Sequence, residues 1–192
     1  MTTKRPSRLR KNGQALVEFT FVGIPILFVL ISVFEVSRGM WIYHTMAHAV
    51  RDGVRYASVH GYNCTNNGNN CAVTMGPVTN KCDGTNTSVA EVIRCSGVGL
   101  SDSTTVSFYT LASSSSTKVQ TGTSCSLSTT ANLCSSANTF PPPSCNTPRA
   151  CRIEIDITTP FNSAIAMFWP GAVPVSFASG ILGASSADVV QY

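Results

Sequence analysis

Charged residues are scarce in this chain, at 11% of the total against about a quarter in a typical soluble domain. Beyond Gly13 the sequence holds eight basic and nine acidic residues, a net charge of −1. The other five basic residues stand before Gly13, with no acid among them: Lys4, Arg5, Arg8, Arg10 and Lys11. A protein that binds nucleic acid spreads Lys and Arg over its folded surface. We therefore expect no nucleic-acid partner.

Residue patterns typical of enzymes and metal sites are also missing. The sequence has three histidines, no Gly-x-Ser-x-Gly motif and no phosphate-binding loop. His44 and His48 lie four residues apart, but Thr45 stands where the His-Glu-x-x-His motif of metalloproteases requires glutamate. His60 is the other histidine, and no third metal ligand is evident. We expect no enzymatic activity, no metal site and no cofactor, with the histidines in packing or surface roles.

Cysteines are plentiful, but none shows the Cys-x-x-Cys spacing of zinc ribbons or thioredoxin-like sites. An even number within an 88-residue window indicates four disulfides formed in an oxidising compartment, with reduced, buried cysteines as the alternative. Eight cysteines allow 105 connectivities, and the short surrounding loops favour pairing between sequence neighbours. The eight are Cys64, Cys71, Cys82, Cys95, Cys125, Cys134, Cys145 and Cys151.

One long apolar run, Phe19 to Phe34, contains sixteen residues without a charge. As a helix it covers about 24 Å at 1.5 Å per residue, slightly less than the roughly 30 Å hydrocarbon core of a bilayer. Glu35 and Arg38 follow it and can pair at a spacing of three, and Trp41 and Tyr43 fall where an interfacial aromatic belt lies. The basic N-terminus predicts a single-pass span with the N-terminus in the cytoplasm and the remaining chain outside.

Three kinds of processing fit such a segment. A secretory signal peptide ends in a small-residue cleavage site, which the sequence after Phe34, "EVSRGMWIY", does not offer. An uncleaved membrane anchor needs no processing at all. Cleavage before the apolar run, between Gly13 and Gln14, removes the basic leader and leaves the helix on the mature protein.

The third kind of processing coincides with a family resemblance. The stretch "GQALVEF" resembles the class III signal of type IV pilin-like proteins, with Gly13 ending a basic leader and Glu18 as the fifth mature residue. The stretch "MAHAVRDGVRYASVHG" from Met46 is similar to the small-residue, basic segment of TadE-like minor pilins of the tight-adherence (Tad/Flp) pilus. The resemblance covers residues 8–61, is loose over 152–192 and is absent from the cysteine-rich middle.

The resemblance implies a set of partners and a location. A prepilin peptidase would cut between Gly13 and Gln14, and the retained helix would contact the lipid bilayer, other pilin subunits and the pilus assembly platform. The protein would lie in the bacterial inner (cytoplasmic) membrane, with its C-terminal domain extracytoplasmic, and could enter an extracellular pilus.

Glu18 is expected to take part in subunit registration. A carboxylate in lipid costs roughly 2.5–3.5 kcal/mol on insertion scales, so it needs a partner or a place at the interface. In the family this glutamate is thought to pair with the N-terminal amine of an adjacent subunit, here that of Gln14. The alternative is that Glu18 reaches the cytoplasmic headgroups without a protein partner.

The sequence predicts an α+β fold, with a long transmembrane helix, a small antiparallel sheet and disulfide-stapled loops. An apolar stripe continues the helix to about His60. Strands are predicted at 104–111 and in "CRIEIDITTP", where alternating isoleucines face one side. Pro160 could open a short helix over 161–169, and a further strand or pair of strands follows over 173–190. The expected segments are a leader at 1–13, a transmembrane helix at 14–40, its extracytoplasmic continuation at 41–61, a cysteine-rich region at 62–151 and a strand–helix–strand segment at 152–192.

Two functions remain open from the sequence. The first is a minor pilin or pseudopilin that assists assembly of a Tad/Flp-type surface pilus, a machinery of adhesion related to secretion systems. The second is a single-pass, membrane-anchored extracytoplasmic binding or adhesin domain. Processing separates them, because removal of residues 1–13 favours the pilin.

Overall fold

A computed structural model describes residues 10–61, 64–66, 69–78, 82, 88–112, 117–128, 139–145, 151–161 and 180–191. The helices are α1 (Arg10–Val59) and α2 (Val89–Ser96), with a 3-10 turn at Pro143–Cys145. The strands are β1 (Thr65–Asn66), β2 (Asn69–Asn70), β3 (Thr105–Ala112), β4 (Val119–Gln120), β5 (Cys125–Ser126), β6 (Cys151–Phe161) and β7 (Gly180–Val189). The chain divides into two compact units, the first containing α1 up to Arg38 and the second beginning at Gly39.

Helix α1 continues through Pro25 and ends at Val59, close to the predicted end near His60. It begins at Arg10, four residues before Gln14. Nothing between Arg10 and Gln14 interrupts a helix, since the nearest proline inside it is Pro25. The predicted long N-terminal helix is therefore confirmed.

The second unit contains an antiparallel sheet of five strands, in the order β4-β3-β6-β7 with β5 also paired to β3. Strands β3 and β6 are joined in a register that places Phe108 opposite Ile155 and Val106 opposite Ile157. Both predicted strands, at 104–111 and in "CRIEIDITTP", are present. The small antiparallel sheet of the expected α+β fold is confirmed.

One face of this sheet is the core of the second unit. Ile153, Ile155 and Ile157 have no exposed surface, whereas Glu154 and Asp156 between them are partly exposed. The alternation follows from the period of two in a strand with one buried face. Apolar side chains of β3 and the loops complete this layer, including Val106, Phe108, Leu127 and Phe140.

Helix α1 covers the apolar face with a stripe that differs in part from the predicted one, which ran through Met40, Tyr43, Ala47, Val50, Val54 and Ala57. The first three of these residues are exposed or half-buried. At 100° per residue, Met40 and Ala47 point about 80° and 60° away from Val50 and fall at the margin of the buried side. Tyr43 faces the buried side but lies one turn before the first buried residue, Met46. The observed stripe is Met46, Ala49, Val50, Val54 and Ala57.

Helix α2 was not predicted, because the cysteine-rich region was interpreted as strands and loops. Its N-cap is Ser88, whose hydroxyl accepts a hydrogen bond of 3.2 Å from the backbone N–H of Glu91. The Ser-x-x-Glu spacing is a capping-box signature and was the one available signal. Val89, Ala90 and Ile93 are fully buried, so this short helix contributes core as well as connection.

Three disulfides join sequence neighbours, as expected: Cys64–Cys71, Cys82–Cys95 and Cys145–Cys151. Cys125 is also disulfide-bonded, and Cys134 lies outside the described residues. Each such link typically stabilises a small domain by about 2–4 kcal/mol. The cysteine-rich region also buries core residues such as Met75, Ile93 and Phe140, so the links add to a packed core.

Pro160 does not open a helix but lies within β6, opposite Ile181 of β7. The pairing of β6 with β3 ends at Thr158, so at Pro160 the strand has one neighbour. A strand that is paired on one side tolerates the missing N–H of proline. The rest of the predicted helix, 162–169, lies outside the described residues, and β7 confirms a strand within 173–190.

Within the second unit, both ends of the β6–β7 strand pair contact α1. The Phe161 ring stands 3.7 Å from the position of a β-carbon on Gly39. At the other end of the strands, the backbone N–H of Gln191 donates a hydrogen bond of 3.1 Å to the carbonyl oxygen of Ser58. The helix from Gly39 to Ser58 thus follows the full length of the strand pair.

Candidate functional site: the exposed apolar helix

Most large apolar side chains in the apolar run of α1 are exposed. Phe19 and Phe21 are each 77% exposed, Phe34 is 78% exposed, and none of the most apolar 18-residue window is buried. Monomeric soluble proteins rarely expose continuous apolar surface of this extent. By length and composition α1 can cross a membrane, and its surface is suited to lipid or to other apolar helices.

Polar side chains within the run are satisfied by the helix itself. Thr20, Ser32 and Ser37 each donate a hydroxyl hydrogen bond of 2.8 Å to the carbonyl oxygen four residues earlier. In a bilayer core no water is present to satisfy such groups, so internal pairing is required. These three hydroxyls therefore need no partner from outside the helix.

The C-terminal end of the run has the predicted arrangement. Arg38 Nη1 lies 3.6 Å from Glu35 Oε1, which forms the expected ion pair at a spacing of three. Trp41 and Tyr43 follow with about half of their side-chain surface exposed. Amphipathic rings in that position match the aromatic belt of a membrane interface.

The predicted processing and registration residues lie at the opposite end. Gly13, Gln14 and Glu18 are all exposed and all helical. A β-carbon on Gly13 would meet no other group within 4 Å. Gln14 and Glu18 lie on the same side of α1, because four residues turn the helix by about 400°. Within the described residues Glu18 makes no hydrogen bond or ion pair.

Gly23 creates a shallow groove on the apolar surface. Its nearest neighbour is the Phe19 ring, 3.8 Å from the position of a β-carbon. The groove is lined by Phe19, Thr20, Gly23, Ile24, Ile26 and Leu27. Small residues on membrane helices let a second backbone approach closely, so this surface suits helix–helix packing.

The solvent-facing side of the sheet carries a charged cluster that the sequence did not indicate. Lys118 Nζ donates a short hydrogen bond to Glu154 Oε1. Burial raises the pKa of Asp156, and the nearby Glu154 carboxylate adds to this while Lys118 opposes it. The hydrogen bond to Glu154 raises the pKa of Lys118. The cluster links β6 to Lys118, the residue directly before β4.

The histidines take local roles. His48 Nδ1 lies 3.1 Å from Asp52 Oδ2, and His60 Nδ1 lies 3.0 Å from the carbonyl oxygen of Tyr56. Burial raises the pKa of the Tyr56 hydroxyl, with a further contribution from Glu91. Within the part of the chain that the structure describes, no three His, Cys, Asp or Glu side chains come together.

Comparison with protein families shows that residues 13–55 match the family model of TadE-like proteins. The matched stretch is α1 from Gly13 to Arg55, which includes the apolar run and most of the part that packs on the sheet. The resemblance expected from the sequence is confirmed over this stretch. No curated protein and no solved structure matched significantly.

Proposed function

We propose, from its TadE-like helix, that this chain is a minor pilin or pseudopilin that acts in assembly of a Tad/Flp-type pilus. A prepilin peptidase removes residues 1–13 at the cytoplasmic face of the bacterial inner membrane. The mature subunit keeps its helix, first as a lipid anchor and then as the element that contacts other pilin subunits. The second unit lies on the extracytoplasmic side.

The observation that supports this proposal is that α1 has an exposed apolar first part and a second part that is buried in the core. Its first part exposes its large apolar side chains except the half-buried Ile31, while its second part buries Met46, Val50 and Val54 in the core. A cleaved secretory signal would have no reason to continue into the core of the folded unit. The exposed run and the buried stripe belong to one continuous helix, which supports retention of the apolar run on the mature protein.

The local structure around Gly13 favours cleavage there. Gly13 lies in the first turn of α1, where the backbone N–H groups lack partners within the helix. Glycine inside a helix also costs about 1 kcal/mol relative to alanine. Unwinding this turn into an extended peptidase substrate therefore costs little free energy. A β-carbon at Gly13 would meet no other group within 4 Å, which leaves room for the peptidase active site.

Cleavage creates a positive amine on Gln14, on the same side of the helix as Glu18. We infer that Glu18 pairs with the amine of a neighbouring subunit when helices bundle. A pair of opposite charges in an apolar bundle is sensitive to register, because one misplaced turn leaves both charges without a partner. Glu18 then sets the axial position of the subunit.

The test is the mature N-terminus of the protein extracted from host membranes, with and without an active prepilin peptidase. We expect the sequence to begin at Gln14 when the peptidase is active and at the full-length N-terminus when it is inactive. Full-length protein under both conditions would overturn the pilin proposal. It would favour instead the membrane-anchored binding or adhesin domain, for which the disulfide-linked second unit is equally suited.

A further inference from the structure

Two apolar side chains of the second unit are far more exposed than a folded core would leave them. Ile181 at the start of β7 is 69% exposed, and Val98 in the turn after α2 is 68% exposed. Among the large apolar residues described in this unit, these two have the highest exposed fractions. They belong to different elements, and both lie at the end of the unit where α1 enters it.

Val98 is held beside the start of the second unit by a close contact. The next residue, Gly99, has a φ of +83°, and the Trp41 ring packs over it. A β-carbon on Gly99 would stand 2.7 Å from Cη2 of Trp41. Both the left-handed backbone and this contact require glycine. The turn therefore places Val98 next to the half-exposed indole.

Ile181 is held at the same level by a second, independent contact. It pairs with Pro160 in the register of β6 and β7, and the adjacent pair joins Phe161 to Gly180. The Phe161 ring in turn lies 3.7 Å from the β-carbon position of Gly39. Ile181 thus lies at the Gly39 end of the strand pair.

Gly39 and Trp41 are two residues apart, which corresponds to about 200° around a helix. The turn with Val98 and the strand end with Ile181 consequently lie on opposite sides of α1. Trp41 lies seven residues beyond Phe34, the last residue of the apolar run, or about 10 Å along the helix. Because the run of about 24 Å is roughly 6 Å shorter than the hydrocarbon core, a centred span places Trp41 roughly 7 Å beyond the core, at the outer edge of the headgroup region.

We propose that Trp41, Val98 and Ile181 form a membrane-proximal rim that rests in the interfacial layer of the bilayer. The partner is the phospholipid surface itself, because the rim lies at the end of the second unit to which α1 leads from the candidate span. The charged residues that flank Val98 along the chain are compatible with this position, because Arg94 Nη2 pairs with Asp102 Oδ1 at 2.8 Å. The rim contacts lipid on both sides of the helix and so fixes the tilt of the second unit. This proposal requires the membrane span but neither leader cleavage nor a pilus.

The test places a nitroxide at single positions of the full chain in nanodiscs of phosphatidylcholine and phosphatidylglycerol, one copy per disc. Val98, Ile181 and, as a control, Val119 are replaced in turn by p-acetylphenylalanine, which carries the label without adding a cysteine to a disulfide-bonded protein. Val119 is a matched control because it is 59% exposed and lies opposite Thr110, in the half of β3 that pairs with the far end of β6.

Collision rates with oxygen, which concentrates in lipid, and with a water-soluble nickel chelate report the surroundings of each label. We expect oxygen to dominate at positions 98 and 181 and the chelate to dominate at position 119. Chelate-dominated signals at either 98 or 181 would overturn the two-sided rim. Protection from both reagents at these positions would also overturn it, since that result indicates a protein contact in place of lipid.

Discussion

Gly53 of α1 and Ile93 of α2 are in such close contact that a β-carbon on Gly53 would stand 2.5 Å from Ile93 Cγ1. Ile93 has no exposed surface, so its side chain has no free space to move into. The two helices can approach this closely because position 53 carries no side chain. Glycine is required here for packing, despite its low preference for helices.

The first prediction concerns this contact. Gly53→Ala should destabilise the second unit by about 1–3 kcal/mol, because overpacking outweighs the gain in helix propensity. For a chain of this size that corresponds to roughly 2–4 °C in Tm for each kcal/mol, measured by thermal unfolding of the full chain in detergent. Gly39→Ala is the matched control, since its β-carbon meets Phe161 at an ordinary 3.7 Å. An additional Ile93→Ala substitution should reduce the effect of Gly53→Ala, and a full effect in that background would refute the contact.

The second prediction concerns Glu18. Glu18→Ala should leave membrane insertion unchanged but reduce recovery of the protein in the sheared pilus fraction, because the partner of the Gln14 amine is lost. The measurement compares the amounts in membrane and pilus fractions by immunoblot. Glu35→Ala, which removes the other acidic residue flanking the apolar run, serves as the control and should retain assembly. Equal pilus recovery for wild type and Glu18→Ala would reject the registration role.

The third prediction concerns Gly13. Gly13→Trp should block leader removal, because the bulky side chain prevents entry of the extended backbone into the peptidase. N-terminal sequencing should then find the uncleaved protein, whereas Gly23→Val, within the apolar run, should still begin at Gln14. A normal mature N-terminus in Gly13→Trp would place the cleavage site elsewhere.

The fourth prediction concerns the Cys82–Cys95 disulfide, which ties a loop to α2. Replacing both cysteines by serine should cost about 2–4 kcal/mol of unfolding free energy. The same change at Cys64 and Cys71 should cost slightly less, since that link closes 7 residues of sequence separation against 13. Thermal unfolding without reductant measures both variants. A larger loss for the shorter loop would show that native packing, and not chain entropy, determines the contribution.

The fifth prediction concerns pH and Asp156. Burial raises the pKa of Asp156 above its ordinary value of 3.8, so the folded protein binds this proton more tightly than the unfolded chain does. The ionised carboxylate therefore lowers stability once the pH rises above that range. Asp156→Asn should increase Tm at neutral pH, and the increase should shrink as the pH falls toward 3.8. Lys118→Ala should act in the opposite direction at neutral pH, because it removes the cation beside Glu154.

The sequence predicted the elements whose apolar residues follow a regular pattern. The three buried isoleucines of β6 alternate with acidic residues, a pattern that indicates a strand with one buried face. The apolar run of α1 has no charge, a pattern that indicates a candidate membrane span. Helix α2 has eight residues within a polar, cysteine-rich region, too short for its period to stand out. The buried side of α1 depends on where the sheet lies, and no local pattern contains that information. The prediction for Pro160 was wrong because tolerance of this proline depends on the pairing of β6 with β3 ending at Thr158, a tertiary feature.

The candidate site also contains features that the sequence could suggest and features that only the folded structure shows. Gly13, Gln14 and Glu18 could be proposed from spacing because a processing signal is a short linear motif, and their roles stay predictions. The contacts of Trp41 with Gly99 and of Gly39 with Phe161 join residues far apart in the chain. Such contacts arise from tertiary packing, and the sequence contains no periodic signal for them.

The side-by-side course of α1 and the β6–β7 pair has a mechanical consequence. Tension applied at Gly39 acts parallel to the strands, whose far end is tied to the helix by the hydrogen bond from Gln191 to Ser58. The interface is therefore loaded in shear, and its contacts must yield together, whereas a perpendicular pull would peel them apart one by one. The second unit is built to withstand traction along the helix axis.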